Sequence, residues 1–186
     1  SSAVHNIYPC DLDQDGDIDI LSPNGASSSG ISWYENQGNG VFVEHNINSR
    51  WVRAVYPSDV DADGDIDILA IYYDYVSGLY MYENLGQGVF SEHLITDIVD
   101  LSGSMYVGVA NVFDNDEYQD IIFTSYNRTW LIENNDGNIF SAVYDITNGA
   151  AWYMHPTDID GDGDQDFLSA DMYGNTVFWY ENENAS

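Results

Sequence analysis

Five aspartates stand at alternate positions in DLDQDGDIDIL, residues 11–21: Asp11, Asp13, Asp15, Asp17 and Asp19. The pattern returns as DVDADGDIDIL with Asp59, Asp61, Asp63, Asp65 and Asp67, and as DIDGDGDQDFL with Asp158, Asp160, Asp162, Asp164 and Asp166. Carboxylates held about 4 Å apart repel pairwise, at roughly 1 kcal/mol per pair in water and about 4 kcal/mol at an effective dielectric of 20. Four in one loop therefore cost on the order of 6 to 24 kcal/mol, which rivals the stability of a whole domain. Such a loop stays open or holds a cation. An all-oxygen donor set at alternating positions selects a hard ion, and calcium accepts six to eight oxygens at flexible geometry.

Written as D-x-D-x-D-G-x-x-D, the loop has a glycine at position 6 (Gly16, Gly64, Gly163), where a sharp turn needs positive φ. Position 7 (Asp17, Asp65, Asp164) is expected to offer its backbone carbonyl and turn its side chain to solvent. An EF-hand opens in the same way but needs a glutamate at position 12 and flanking helices. Position 12 here is Ser22, Ala70 or Ser169, and the flanks read as strands, so the EF-hand is rejected.

The loops belong to a larger repeat. A second motif follows each one: WYENQGNGVF at 33, MYENLGQGVF at 81, LIENNDGNIF at 131 and WYENENAS at 179. Asp13 to Asp61 spans 48 residues, Asp61 to Asp114 spans 53, and Asp114 to Asp160 spans 46. Each unit holds four short runs rich in β-branched and aromatic residues, bounded by Gly, Asn, Asp and Pro. In the second unit these are WVRAVYP, IDILAIYY, GLYMYEN and VFSEHLI. Four antiparallel strands in about 45 to 50 residues is the arithmetic of a β-propeller blade. The expected fold is all-β, with four repeats at roughly 1–48, 49–98, 99–148 and 149–186 forming a single propeller domain. The last repeat stops before its fourth strand. A small closed ring, half of a dimeric ring and a piece of a larger propeller all fit that pattern.

At these residues the chain resembles the FG-GAP or VCBS repeat family, the calcium-binding propeller blades of integrin α-subunits, of a fungal fruit-body lectin and of many bacterial surface proteins. The resemblance implies calcium in the hairpin between the first two strands of a blade, held by the fifteen aspartates named above, with about three ions per chain. The third unit departs from the pattern. It reads NVFDNDEYQDIIF, in which Asp114, Asp116 and Asp120 keep positions 3, 5 and 9 while Glu117 replaces the glycine. A weak or empty site is expected there.

The 186 residues carry a net charge of −29, no lysine and only Arg50, Arg53 and Arg128. That charge repels nucleic acid and anionic lipid, and leaves cations, neutral sugars and basic protein surfaces as partners. A halophilic surface would spread its acids, whereas about half of them here sit in the repeated loops. No apolar run reaches membrane-spanning length. The sequence opens on Ser1-Ser2 without a visible leader, consistent with a removed leader or an excised piece. Cys10 stands alone, as a half-buried thiol or as half of a bridge to another chain. Asn127 and Asn184 head glycosylation sequons.

Trp33, Met81, Leu131 and Trp179 share one repeat position and read as core, as do Phe42, Phe90 and Phe140. Trp51 and Trp152 read as packing between blades or as platforms for a sugar ring. Tyr73 and Tyr75, with Tyr72, cluster at a hairpin and form a candidate contact patch. No serine, cysteine or threonine has an activated setting, so no enzyme is expected. The expectation is an extracellular, calcium-stabilised binding or adhesion module, with carbohydrate favoured over protein as ligand, and self-association or continuation in a longer chain. The alternatives are an assembly module of a larger surface protein and a polysaccharide lyase-type domain. A lyase needs a basic residue to neutralise a uronate, and the chain offers three arginines at most.

Overall fold

The computed structural model describes residues 6–23, 30–72, 77–97, 106–113, 116, 118–125, 128–137, 139–145, 151–171 and 175–182. The side chains of 142, 143, 145, 151, 152 and 171 lie outside that description, as do Tyr73, Tyr75, Asp114, Glu117, Asn127 and Asn184. Every regular element among the described residues is a strand.

Four antiparallel meanders follow one another. The first is β1 (Tyr8–Cys10), β2 (Asp19–Pro23), β3 (Ile31–Asn36) and β4 (Phe42–Asn48), hydrogen-bonded in that order. The second is β5 (Val52–Ser58), β6 (Asp67–Tyr72), β7 (Gly78–Asn84) and β8 (Phe90–Thr96). The third is β9 (Val107–Ala110), β10 (Asp120–Ser125), β11 (Arg128–Asn134) and β12 (Phe140–Asp145). The fourth has three described strands, β13 (Ala151–Thr157), β14 (Asp166–Asp171) and β15 (Thr176–Tyr180). These are propeller blades, and the four strand-like runs read from the second unit coincide with β5 to β8 to within a residue or two at each end. The acidic loop joins the first two strands of a blade. The Gly-rich turn joins the last two and closes the same way in successive blades: Gln37 N–H donates to Val41 O (2.9 Å), and Leu85 N–H to Val89 O (2.8 Å).

By compactness the chain divides into two units, one of Ser1–Asp59 with Asp63–Val99 and the other of Val60–Ala62 with Asp100–Ser186. In the first unit, Leu12, Leu21, Ile31 and Trp33 of blade one pack against Ile68, Ala70, Tyr80 and Tyr82 of blade two. In the second, Val112, Ile122 and Leu131 pack against Met154 and Phe167. Each such fully buried side chain contributes about 1.5–3 kcal/mol. The approach is close: a Cβ on Gly88 would lie 2.6 Å from Trp33 Cζ3, so only glycine fits under that indole. Tyr72 is a fully buried core residue, its hydroxyl 2.7 Å from that of Tyr82, while Arg50 stacks 3.9 Å from the Tyr72 ring centroid.

The expectations for large apolar residues need three corrections. Trp33, Met81 and Leu131 are buried, but Trp179 is exposed, because no described element covers its face of blade four. Phe42 is exposed and Phe90 and Phe140 are half-buried, since all three begin the outermost strand of a blade, where solvent reaches one side. Trp51 is 64% exposed, so it does not pack between blades.

One asparagine in each of blades two to four repeats the apolar contact. Asn84, at the end of β7, donates from Nδ2 to Leu12 O in the neighbouring blade (2.8 Å) and to Ile66 O in its own (3.1 Å), and its Oδ1 accepts from Gly86 N–H (3.0 Å). In the second unit Asn134 Nδ2 reaches Val60 O (2.9 Å) and Asn182 Nδ2 reaches Val112 O (3.2 Å). Removing a buried donor strands its acceptors, at about 1–3 kcal/mol each. Asn84→Ala is therefore expected to cost about 2–4 kcal/mol in urea unfolding at fixed calcium. Asn36→Ala, whose Nδ2 donates to Ile18 O of its own blade (3.0 Å) and whose Oδ1 accepts from Gly38 N–H (3.0 Å), is expected to cost about 1 kcal/mol. Equal losses at the two positions would remove the interblade role.

Candidate metal centre

The acidic loops turn on themselves through short local bonds. Asp15 Oδ1 accepts from Asp17 N–H (2.8 Å), Asp63 Oδ1 from Asp65 N–H (2.9 Å) and Asp162 Oδ1 from Asp164 N–H (3.1 Å). These are Asx turns, in which the carboxylate stands in for a backbone acceptor two residues earlier. The position-6 N–H closes the loop onto position 1: Gly16 donates to Asp11 Oδ2 (3.1 Å), Gly64 to Asp59 Oδ2 (3.1 Å) and Gly163 to Asp158 Oδ2 (3.2 Å). Those glycines have φ of +94°, +98° and +103°, as the turn requires. Spacing did not show that position 4 is left-handed too, with Gln14 at +60°, Ala62 at +59° and Gly161 at +83°.

This winding brings carboxylates together. Asp11, Asp13 and Asp15 each present an oxygen within 4.8 Å of the others, as do Asp59, Asp61 and Asp67, and Asp158, Asp160 and Asp166. In the first two loops the other position-1 oxygen, Asp11 Oδ1 or Asp59 Oδ1, is buried without a hydrogen-bond partner. A buried unpaired carboxylate oxygen beside two more carboxylates is the electrostatics of a cation site, so the residues fit the ion that the spacing implies. Burial, followed by Asp19, Asp15 and Glu35, pushes the Asp13 carboxyl above its ordinary range, against the N–H of Asp15. The third intact loop differs: Asp158 Oδ1 already accepts from Gly161 N–H (2.6 Å). In the degenerate loop Asp116 Oδ1 accepts from Tyr118 N–H (2.8 Å). The position-7 side chains are not uniformly solvated: Asp17 is exposed, Asp65 is half-buried and reached by Gln14 Nε2, and Asp164 is buried.

Position 9 has a duty that the motif does not reveal. Asp19 and Asp67 are 0% exposed, and Asp120 and Asp166 are 1% exposed. One oxygen of each accepts from the backbone N–H of the YEN-type asparagine: Asn36 (2.8 Å), Asn84 (2.9 Å), Asn134 (3.1 Å) and Asn182 (2.9 Å). The second oxygen takes the position-2 N–H, from Leu12 to Asp19 (3.1 Å), Val112 to Asp120 (2.8 Å) and Ile159 to Asp166 (3.1 Å). Trp33 Nε1 adds a third donor to Asp19 (2.9 Å). The Asn182 N–H, ahead of the Ile159 N–H, holds Asp166 below the ordinary carboxylate range against the effect of burial. Asp120 keeps this anchoring role, so blade three is laced like the others despite its altered loop.

A second feature lies within the second unit. A cavity of about 270 Å³ is lined by Phe113, Leu131, Tyr144, Phe167 and Tyr180, with Glu181 and Asn182 at one side. None of these residues was singled out as a ligand contact from the sequence. The candidates chosen there do not form it: Trp51 lies in the other unit, and Tyr73, Tyr75 and the Trp152 side chain fall outside the described residues. Cys10 is half-buried against the core, its Sγ 3.9 Å from Tyr8 O, and burial ahead of Asp19 raises its thiol pKa to about 12.

Comparison with known proteins places these features in a lineage. A family model described as FG-GAP-like repeat matches residues 11–70 and 113–169, more than half of the chain. Among solved structures, the chain is similar to an Agrocybe aegerita lectin whose structure is described as the basis of specific recognition of non-reducing terminal N-acetylglucosamine. The two share 17% identity with a TM-score of 0.62, over 90% of this chain and 47% of that one, so this chain spans about half the length of the lectin. At that identity the likeness speaks to the fold. No curated protein matches the sequence.

The left-handed residues give a direct test of the loop geometry. Ala62→Gly relieves a strained non-glycine conformation and is expected to stabilise by about 0.5–1 kcal/mol, while Gly64→Ala introduces the same strain and is expected to destabilise by about 1–2 kcal/mol. Thermal unfolding of both variants at one calcium concentration reads the signs, and a destabilised Ala62→Gly contradicts the geometry.

Proposed function

The chain belongs to the FG-GAP-like repeat family, and on that premise we propose that it is an extracellular, calcium-stabilised propeller module that binds carbohydrate and catalyses no reaction. The orphaned, buried Asp11 Oδ1 and Asp59 Oδ1 carry the calcium reading. Asp11, Asp13 and Asp15 would hold the ion in the first loop, Asp59, Asp61 and Asp67 in the second, and Asp158, Asp160 and Asp166 in the last. The ion's chemistry is charge cancellation: it turns a self-repelling hairpin into a rigid corner. Millimolar calcium outside cells fills sites of even modest affinity, which favours a secreted or surface-displayed protein.

The cavity between blades three and four carries the carbohydrate reading. A sugar offers apolar C–H faces and a rim of hydroxyls. The Phe113, Tyr144, Phe167 and Tyr180 rings match the faces, and Glu181 and Asn182 match the hydroxyls. The lectin of similar fold recognises a terminal sugar, which adds to this reading by analogy alone. The lyase alternative wants a basic side chain available to a uronate. Arg50 is instead stacked on Tyr72 and Tyr80 and lies 3.4 Å from Glu92, and Arg128 lies over the Trp130 ring.

Free calcium at 100 times its dissociation constant stabilises by about 2.7 kcal/mol per site. Chelation is therefore expected to lower the melting temperature by roughly 5–10 °C per occupied site, and re-addition to restore it. Asp59→Asn should remove more of that response than Asp158→Asn, whose Oδ1 already has a partner. Metal analysis is expected to return about three calcium ions per chain. A melting curve indifferent to chelator refutes the structural ion.

A glycan array probed in calcium is expected to retain neutral sugars. Tyr144→Ala, which truncates an exposed ring at the cavity, is expected to weaken the best ligand by about tenfold without changing the melting temperature. Retention of no glycan, or unchanged affinity in the variant, removes this cavity as the carbohydrate site.

A further inference from the structure

Two glutamines reach out of one acidic loop and into the next. In the first unit, Gln14 at position 4 of loop one donates from Nε2 to Gly64 O (2.9 Å) and to Asp65 Oδ1 of loop two. In the second unit, Gln165 at position 8 of the last loop accepts from the N–H of Asn111 (2.8 Å), where the degenerate loop of blade three begins. The repeat demands neither residue: position 4 is Gln14, Ala62 or Gly161, and position 8 is Ile18, Ile66 or Gln165. The Gln14 amide lands on the stretch of loop two that orders its carboxylates. Gly64 N–H holds Asp59 Oδ2 (3.1 Å) and Asp65 N–H holds Asp63 Oδ1 (2.9 Å), so the residues gripped by Gln14 also place positions 1 and 5. Asp65 is half-buried, whereas its counterpart Asp17 is exposed. At the other end of the bridge, Gln14 is itself left-handed (φ +60°) and stands between Asp13 and Asp15, two of the three carboxylates that converge in loop one.

We propose that Gln14 couples loops one and two, so that calcium held in either loop tightens the other, while the last loop binds by itself; this rests on the calcium reading above. Fixing Asp13 and Asp15 around an ion fixes the backbone between them, and with it the amide that steadies Gly64 and Asp65. By linkage the effect is equal in the reverse direction. Gln165 makes no such pair, because it reaches the loop in which Glu117 replaces the glycine. Charge acts in the opposite sense, since a cation in loop one weakens the negative field that draws a second cation to loop two. Cooperative filling of the two loops therefore requires a physical link between them, and its loss in a Gln14 variant assigns that link.

Calcium titration of the metal-stripped chain at constant ionic strength, followed by NMR at the amides of Gly16, Gly64 and Gly163, reads loop one, loop two and the last loop separately. The Gly16 and Gly64 signals are expected to move together with a Hill slope above one, and the Gly163 signal to follow a single independent site. Gln14→Ala is an exchange that loop two already carries, at Ala62 with φ of +59°, so the loop accommodates it. It is expected to weaken the first two transitions by about fivefold and to bring their slope to one or below, with Gly163 unchanged. No movement at any of these amides refutes the calcium reading, and the coupling with it. Independent slopes in the unmodified chain, a Gly163 signal as steep as the others, or an unchanged slope in Gln14→Ala leaves the ions in place and overturns the coupling.

Discussion

A buried carboxylate held by backbone N–H groups laces each blade of this protein. The position-9 aspartate leaves water almost completely and is satisfied by backbone N–H groups from two directions, one from the acidic loop and one from the asparagine that ends the third strand. Burying such a group without donors is prohibitive, so the loop and the strand end fold together or not at all. The same asparagine then turns its side chain outward to the neighbouring blade's loop. In blades two to four one aspartate and one asparagine thus connect loop, blade and blade interface, and everything built on the loops inherits their position.

That arrangement explains how the chain tolerates its charge. The carboxylates at positions 1, 3 and 5 are wound tightly by Asx turns and a left-handed residue, which concentrates them rather than letting them splay. Strain and repulsion are stored at the same corner, and the lacing at position 9 holds that corner closed. Loops one and two then keep a buried oxygen without a partner, whereas the Asp158 loop satisfies it internally through Gly161. Three nearly identical sequences therefore differ in whether a position-1 oxygen has a partner, and the difference lies in a single N–H.

The open space and the exposed apolar surface lie between and beside the repeats rather than within them. Where two blades meet imperfectly in the second unit, aromatic walls leave a cavity of about 270 Å³. Where no described element of the unit covers a blade face, the same residue types lie exposed, as Trp179 does. A propeller blade has two adhesive faces, and a ligand, another blade or another molecule answers the same apolar demand.

Much of this was legible in the residues. Runs of β-branched and aromatic residues between turn formers marked the strands, the spacing of the acidic loops marked the repeat, and alternating aspartates around a glycine marked the tight turn of each loop, because each is a local property of consecutive residues. Tertiary structure alone decided the rest. Asn84 meets Leu12, Asn134 meets Val60 and Asn182 meets Val112, pairs separated by 72, 74 and 70 residues. Trp33 and Trp179 sit in matching sequence, yet one is core and the other is surface, and Phe113, Tyr144 and Tyr180 line one cavity without sharing a motif. A sequence window records what a side chain is and which way its strand faces. What covers that face is set by packing between segments far apart in the chain, and no local pattern contains it.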